Sequence, residues 1–310
     1  MADIIISEFM DEPAVEELRR SFTLIYEPDL VDRPVDLEAA VAEARALIVR
    51  NRTQVRGALL DAARNLRCVG RLGVGLDNID VGACEERGIA VYPAIGANNL
   101  SVAEYVIASA LVLLRGVYSS TAEMVAGAWP RQRLMGREVS GKRLGLVGFG
   151  AIARDVAIRA RALGMKVAAY DPHLAHDHAA WQQAEREALD TLLATSDVVS
   201  LHVPLTDETR NLIDRDAIAR MKRDAILINA ARGGVVDEAE VANALRGERL
   251  GGAALDVFAK EPLGSADAEI FRGVPNLILT PHVAGITMES NARVSLLTAE
   301  NVRRHLDGVA

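Results

Sequence analysis

The sequence predicts an α/β protein of two domains, the second inserted into the first. Three observations carry this. Short apolar runs alternate with amphipathic ones from Ile4 to Pro93, and again from Lys142 to Thr280. A glycine-punctuated turn, "GFGAIA" at 148–153, opens the second alternation rather than the first. A helical pattern from Met288 to Leu306 closes the chain after the second alternation has ended. Alternation of this kind builds mostly parallel sheets covered by helices.

At 310 residues the chain has room for two cores. Aromatics make up only 4% of it, so Ala, Val, Leu and Ile fill the interior, which suits parallel sheets better than sandwiches. A net charge of −8 argues against a nucleic-acid partner. No apolar run approaches the roughly 18 residues of a membrane span. The opening "MADIIISEFMDEP" lacks the pattern of a secretion signal. Two cysteines, Cys68 and Cys84, are too few for a disulfide framework or a zinc site and point to a reducing compartment, the cytoplasm.

In the first half "DIIIS", "TLIYE", "ALIVR", "RCVGRLG" and "IAVYP" read as strands, and 11–20, 36–45, 54–64 and 79–87 as helices. One long helical pattern runs from Ser101 to Ser119, with Ser101 and Glu104 at capping-box spacing. The polar "TAEMVAGAWPRQRLMGREVSGK" reads as an irregular arm. The second block places strands at "RLGLV", "KVAAY", "DVVSLHV", "AILINA", "GAALDV" and "NLILT". The closing helix is expected to return to the first domain. The predicted division is 1–98 with 287–310 for one domain and 99–286 for the other.

The glycine turn has the form of a dinucleotide phosphate cradle. Gly148 permits the tight turn, Gly150 lets the backbone approach a pyrophosphate, and Ala153 is small enough for helix–strand packing. The anion would rest on the N-terminus of a helix whose apolar face is Ile152, Val156, Ala160 and Leu163, stopped by Gly164. Asp171 ends the next strand, 18 residues after Ala153, where a carboxylate accepts from ribose hydroxyls and repels a 2′-phosphate. That favours NAD over NADP.

Further polar residues fall just after strands: Pro204 and Thr206, Arg232 and Gly233, Asp256 and Glu261, and His282. This is the edge where open parallel sheets bind ligands. Three of these residues form a chemical set for hydride transfer to a 2-oxo acid. His282 supplies the proton near neutral pH. Glu261 orients the imidazole, and Arg232 offers a planar two-toothed donor to the substrate carboxylate.

With these residues in view, "INAARGGVVDE", "ALDVFAKEP", "TPHVAG", "RLGVGLDNID" and "NNLSVAEYV" resemble, in order and over nearly the whole chain, the D-2-hydroxyacid dehydrogenase family. The resemblance implies a discontinuous, flavodoxin-like substrate domain with an inserted Rossmann domain. It implies catalytic roles for Arg232, Glu261 and His282. It maps NAD contacts onto Val74, the backbone of Ala151 and Ile152, Asp171, Val203 and Pro204, Ala230 and Ala231, Asp256 and Gly285, beside Gly148 and Gly150. It also implies a homodimer with the long helix and the arm at its interface.

The substrate loops most resemble those of the D-3-phosphoglycerate dehydrogenases. That places Arg50, Asn51, Arg71, Val74, Gly75 and Arg131 at the substrate, with the three arginines toward a second anionic group. A sulfonate such as sulfolactate presents a similar anion. The expected partner is therefore a small 2-hydroxy or 2-oxo acid. A glyoxylate or hydroxypyruvate reductase and a dinucleotide-sensing corepressor on the same fold are the alternatives. His173, His176 and His178 lie close together in sequence with Asp177, but the proposed chemistry needs no metal and the stretch reads as a solvated loop.

Overall fold

The computed structural model describes residues 2–308. The chain forms two compact units, Met1–Asn98 with Ile286–Ala310, and Asn99–Gly285. The second crossing falls between 285 and 286, one residue before the position the sequence suggests.

The first segment of unit one runs β1 (Ile4–Ile6), α1 (Glu12–Arg19), β2 (Leu24–Tyr26), α2 (Pro34–Val41), β3 (Ala46–Val49), α3 (Ala58–Ala62), β4 (Cys68–Arg71), α4 (Val81–Glu86) and β5 (Ala90–Pro93). Its strands lie in the order β2-β1-β3-β4-β5, all parallel, which is the flavodoxin-like order. Successive strand residues face opposite sides. Ile4 and Ile6 therefore pack with Ala14, Val15 and Leu18 of α1, while Ile5 packs with Leu37, Val41, Leu59 and Leu60 on the other face. A sheet covered on both faces needs uninterrupted apolar strands, and "III" and "ALIV" supply them.

Unit two runs α5 (Asn99–Arg115), α6 (Thr121–Val125), β6 (Arg143–Val147), α7 (Ala151–Ala162), β7 (Lys166–Tyr170), β8 (Glu185–Arg186), α8 (Leu189–Thr195), β9 (Val198–Leu201), α9 (Arg215–Arg220), β10 (Ile226–Asn229), α10 (Glu238–Arg246), β11 (Gly252–Leu255), α11 (Ser265–Ala268) and β12 (Leu277–Leu279). The order β12-β11-β10-β9-β6-β7-β8 is the doubly wound Rossmann order with one added strand. It reverses between β6 and β9, so the glycine turn after β6 stands at the switch point, where such sheets bind ligands. This explains why the cradle sits near the middle of the chain: it follows the first strand of its own unit.

The remaining helix, α12 (Met288–Leu306), rejoins unit one. A capping box between Thr287 and Ser290 starts it. It lies so close to β4 that a Cβ at Gly70 would come within 2.8 Å of the Thr298 and Val302 side chains.

Several elements depart from the sequence expectation. Helix α5 begins at Asn99, so Ser101 is buried inside its first turn rather than standing ahead of it. The helix stops at Arg115 because Gly116 takes φ +62°. Leu163 is 37% exposed beyond the end of α7, whose buried face is Ala153, Val156, Ala157 and Ala160. The arm contains α6, and strand β8 carries no apolar signal at all.

Both cysteines are free and buried; burial pushes the Cys68 thiol up to about 12 and raises that of Cys84. Among the described residues no helix is long and apolar enough to cross a membrane.

Inside β6, Gly145 lies against α8: a Cβ there would meet Ser196 Oγ and stand 2.6 Å from Leu192 Cδ2. Gly145→Ala is expected to destabilise unit two by about 1–3 kcal/mol through overpacking. That corresponds to a Tm loss of roughly 2–12 °C by calorimetry. An unchanged Tm would mean that α8 yields at no cost.

Candidate active site

The cradle is built by backbone constraints. Gly148 takes φ +87°, and a Cβ there would lie 2.5 Å from the His202 carbonyl oxygen at the end of β9. Both facts require glycine. Gly150 is the N-cap of α7; it has no side chain to cap the helix, and nothing lies within 4 Å of where its Cβ would be. The first N–H groups of α7, at Ala151 and Ile152, have no partner inside the helix and favour an anion at this open approach.

Asp171 follows β7 and ties the cradle together. Its Oδ2 accepts from the Phe149 N–H at 2.8 Å, and its Oδ1 from those of His173 and Leu174 at 2.9 and 3.1 Å. A carboxylate has room for about four such bonds, so acceptor capacity remains for ribose hydroxyls. Val203 and Pro204 follow β9, Ala230 and Ala231 follow β10, Asp256 follows β11, and Gly285 ends the unit. These residues and this open cradle fit a dinucleotide. The nearby histidines have local tasks: His178 Nδ1 accepts from Ala180 N–H at 3.1 Å, and His176 pairs with Arg186. No metal-binding group of three or more His, Cys, Asp or Glu occurs among the described residues.

Arg232, Glu261 and His282 are placed by the loops after β10, β11 and β12. Asn229, 1% exposed, braces the first loop: its Nδ2 donates to the Arg232 carbonyl at 2.9 Å and its Oδ1 accepts from Ala231 N–H at 3.1 Å. Arg232 Nη1 donates to the Ala231 carbonyl at 2.7 Å. The next residue, Gly233, has no room for a Cβ because the Phe258 carbonyl and the Ala259 nitrogen press against it. The loop bearing Arg232 is thus packed directly on the loop bearing Glu261.

Glu261 reaches His282, with Oε2 at 2.7 Å from Nδ1, while its Oε1 accepts from Phe258 N–H at 2.9 Å. The imidazole is orientated, and its Nε2 is left for other partners. Glu238, at the start of α10, accepts from the Ala259 N–H. Burial pushes its carboxyl up against that bond, helped by the charges of Asp237, Glu261 and Asp267. The second imidazole here, His202, is partly buried and bonded to Ser200; desolvation holds it down at about 4, so it is neutral near pH 7.

His282 has φ +55°, and the turn around it is locked by Asp256, 1% exposed. The Asp256 carbonyl accepts from His282 N–H at 2.8 Å. Its Oδ1 accepts from Thr280 Oγ1 at 2.6 Å and Val283 N–H at 2.9 Å, and its Oδ2 from Ala284 N–H at 2.8 Å. Because Thr280 donates to Asp256, Tyr105 of α5 must donate to Thr280 at 2.7 Å. Burial, aided by the charge on Asp256, raises the Tyr105 phenol and keeps its proton in place. Tyr105, Thr280, Asn229 and Glu238 lie inside the quoted motifs but are not singled out there, since a motif does not show which of its residues acts through a neighbour.

In unit one, Arg50 and Arg71 stand at the C-terminal ends of the adjacent strands β3 and β4. Arg50 is half-buried, and its Nη2 donates to Asn291 Oδ1 at 2.5 Å. Arg71 departs from the expectation that it faces an anion. Its guanidinium turns onto its own loop, donating to the carbonyls of Gly75 at 2.8 Å and Leu72 at 2.6 Å, and lies where a side chain at Gly73 would be. Asn51 is exposed, and Val74 and Gly75 belong to the loop Arg71 braces. Arg131 is exposed on the arm of unit two.

The family model for the NAD-binding domain of D-isomer specific 2-hydroxyacid dehydrogenases matches residues 107–284. The chain is 57% identical over 307 residues, 99% of each chain, to an (S)-sulfolactate dehydrogenase of Chromohalobacter salexigens. It is 38% identical over 299 residues to a D-3-phosphoglycerate dehydrogenase of Archaeoglobus fulgidus, covering 96% of this chain and 56% of that one. The chain therefore spans about half the length of that relative. A D-lactate dehydrogenase from Aquifex aeolicus, solved with NAD and lactic acid, superimposes with a TM-score of 0.86 at 29% identity, covering 99% of this chain and 96% of that one. The chain belongs to the D-isomer specific 2-hydroxyacid dehydrogenase family and is an NAD-dependent oxidoreductase of 2-hydroxy acids.

Proposed function

We propose that the chain interconverts a small 2-hydroxy acid bearing a second anionic group, of the sulfolactate kind, with its 2-oxo acid. The observation that carries the chemistry is the 2.7 Å pairing of His282 with Glu261 on a loop packed against that of Arg232. His282 Nε2 takes the hydroxyl proton in oxidation and returns it in reduction, and NAD, when bound, would supply the hydride acceptor. Glu261 holds the ring and balances its charge, and Arg232 binds the substrate carboxylate through its planar fork. Gly148, Gly150, Ala151, Ile152, Asp171, Val203, Pro204, Ala230, Ala231, Asp256, Gly285 and Val74 serve NAD, and unit one is the substrate domain.

Two arguments support a sulfonate over a phosphate. Arg71 gives two N–H groups to its own loop and Arg52 pairs with Asp32, so we assign the second anion to Arg50, which follows β3. One cation suits a singly charged sulfonate better than a phosphate monoester, which carries about −1.5 to −2 at pH 7. Stereochemistry agrees as well. A CH2SO3 group outranks a carboxylate, so (S)-sulfolactate has the same spatial arrangement as D-lactate. The family's D-specificity and the relative's (S) label thus describe one geometry. We further propose a cytoplasmic homodimer; Tyr118, Val125, Trp129 and Met135 leave an apolar surface exposed around the arm that a second copy would cover.

The deciding experiment is NADH oxidation with sulfopyruvate, phosphohydroxypyruvate, hydroxypyruvate and glyoxylate. Sulfopyruvate is expected to give the highest kcat/KM, and a preference for glyoxylate or hydroxypyruvate would replace this reading with that of a glyoxylate or hydroxypyruvate reductase. Arg50→Ala should lower kcat/KM for sulfopyruvate roughly 10- to 150-fold, the worth of one charge-assisted bond, and change glyoxylate little. His282→Ala should lower kcat roughly 10²–10⁴-fold while NADH still binds, as read by fluorescence titration. Cofactor choice rests on Asp171: NADH should be favoured over NADPH by roughly 100-fold, and Asp171→Ala should cut that ratio at least about tenfold. Equal kcat/KM for the two cofactors in the parent enzyme would remove Asp171 from that role.

A further inference from the structure

Glu8 follows β1 at the same sheet edge as Arg50. It is 4% exposed, although it carries a carboxylate. Three backbone N–H groups of the loop after β3 converge on it. Oε1 accepts from Arg50 N–H at 2.8 Å and Thr53 N–H at 3.0 Å, and Oε2 from Arg52 N–H at 3.1 Å. Neighbouring N–H groups that point at one centre form an anion-binding nest. Here the chain fills the nest with its own carboxylate.

The loop is held from its carbonyl side too. Asn78 Nδ2 donates to the carbonyls of Thr53 at 2.7 Å and Arg50 at 3.3 Å, and Ser7 Oγ lies 2.9 Å from Thr53 Oγ1. With the backbone of 50–53 gripped on both sides, the Arg50 guanidinium leaves it in a set direction, over the Phe9 ring at 5.7 Å and onto Asn291. Two consequences follow. An incoming anion meets side chains, because Glu8 already takes the N–H groups of Arg50, Arg52 and Thr53. Arg50 is also in place before the anion arrives, so little side-chain freedom is lost on binding.

We infer that Glu8 is a positioning residue for the substrate's second anionic group: it occupies the loop's anion nest and thereby fixes Arg50. The inference rests on the reading above, in which Arg50 meets that group. A merely structural Glu8 would affect every substrate alike.

The experiment compares Glu8→Gln, Arg50→Ala and the double variant on sulfopyruvate and glyoxylate, with Tm recorded for each. Gln keeps the length but sets an amide NH2 against an N–H of the loop. Glu8→Gln should raise KM for sulfopyruvate about tenfold with kcat within about twofold, and leave kcat/KM for glyoxylate within about twofold. In the Arg50→Ala background it should add no further loss on sulfopyruvate, because Glu8 acts through Arg50. If Arg50→Ala harms only sulfopyruvate while Glu8→Gln harms both substrates equally, harms neither, or adds fully to Arg50→Ala, the inference fails and the substrate reading stands. If Arg50→Ala harms both substrates equally, the substrate reading fails and takes the inference with it. Should Glu8→Gln not fold, Asn78→Ala releases the same loop from the opposite side and carries the same expectation. If neither variant yields folded protein, the clamp is a folding element and the positioning role is rejected.

Discussion

The geometry of His282 depends on one buried carboxylate. Burying Asp256 without partners would cost several kcal/mol. It is instead surrounded by donors, the Thr280 hydroxyl and the N–H groups of Val283 and Ala284, while its carbonyl takes the N–H of His282. A left-handed backbone at a residue other than glycine costs about 1–2 kcal/mol and persists only where its surroundings over-determine it. Here four bonds to one residue do so, and Tyr105 anchors the set to a 17-residue helix. Glu261 then only has to meet a ring that is already held.

The same device recurs at three strand ends of the two sheets. Strands of a parallel sheet end in loops whose N–H groups no neighbouring strand can satisfy. Asp171 takes such groups from Phe149, His173 and Leu174; Asp256 takes them from Val283 and Ala284; Glu8 takes them from Arg50, Arg52 and Thr53. Each acid fixes a loop that presents something else: the cradle and ribose side, the imidazole, and the guanidinium of Arg50. In each unit these acids are thus architectural. Glu261 spans the two uses, with one oxygen on a backbone N–H and the other on His282.

The periodic parts of this organisation are legible in the sequence. Alternation alone places the strands of both sheets other than β8, and the last helix runs from Met288 to Leu306 as its pattern indicates. Gly148, Asp171, Arg232, Glu261 and His282 can be read because each follows an apolar strand and bears a distinctive chemistry. What local pattern cannot show is which polar group meets which. Ser101 has the spacing of a cap, yet the helix begins before it and buries it. Arg71 has the charge for an anion, yet its own loop offers carbonyls closer at hand. Glu8 lies 42 residues from Arg50, and Tyr105 lies 175 from Thr280, so neither pairing leaves a trace in a single sequence.

The placement of α12 bears on how the chain acquires its structure during synthesis. Unit two is one continuous segment and can close its core as soon as β12 has left the ribosome. Unit one has its five strands made early, but the face of β4 at Gly70 is covered by α12, which is translated only after unit two. Until then Ile4, Ile6, Ala46 and Ile48 belong to a layer that still lacks Val294, Ala299, Val302 and Leu306. The nascent chain therefore carries a partly open apolar surface through the making of 187 further residues, the length of Asn99–Gly285. The unit begun first is thus completed after the one that interrupts it, and its apolar face stays open for longer.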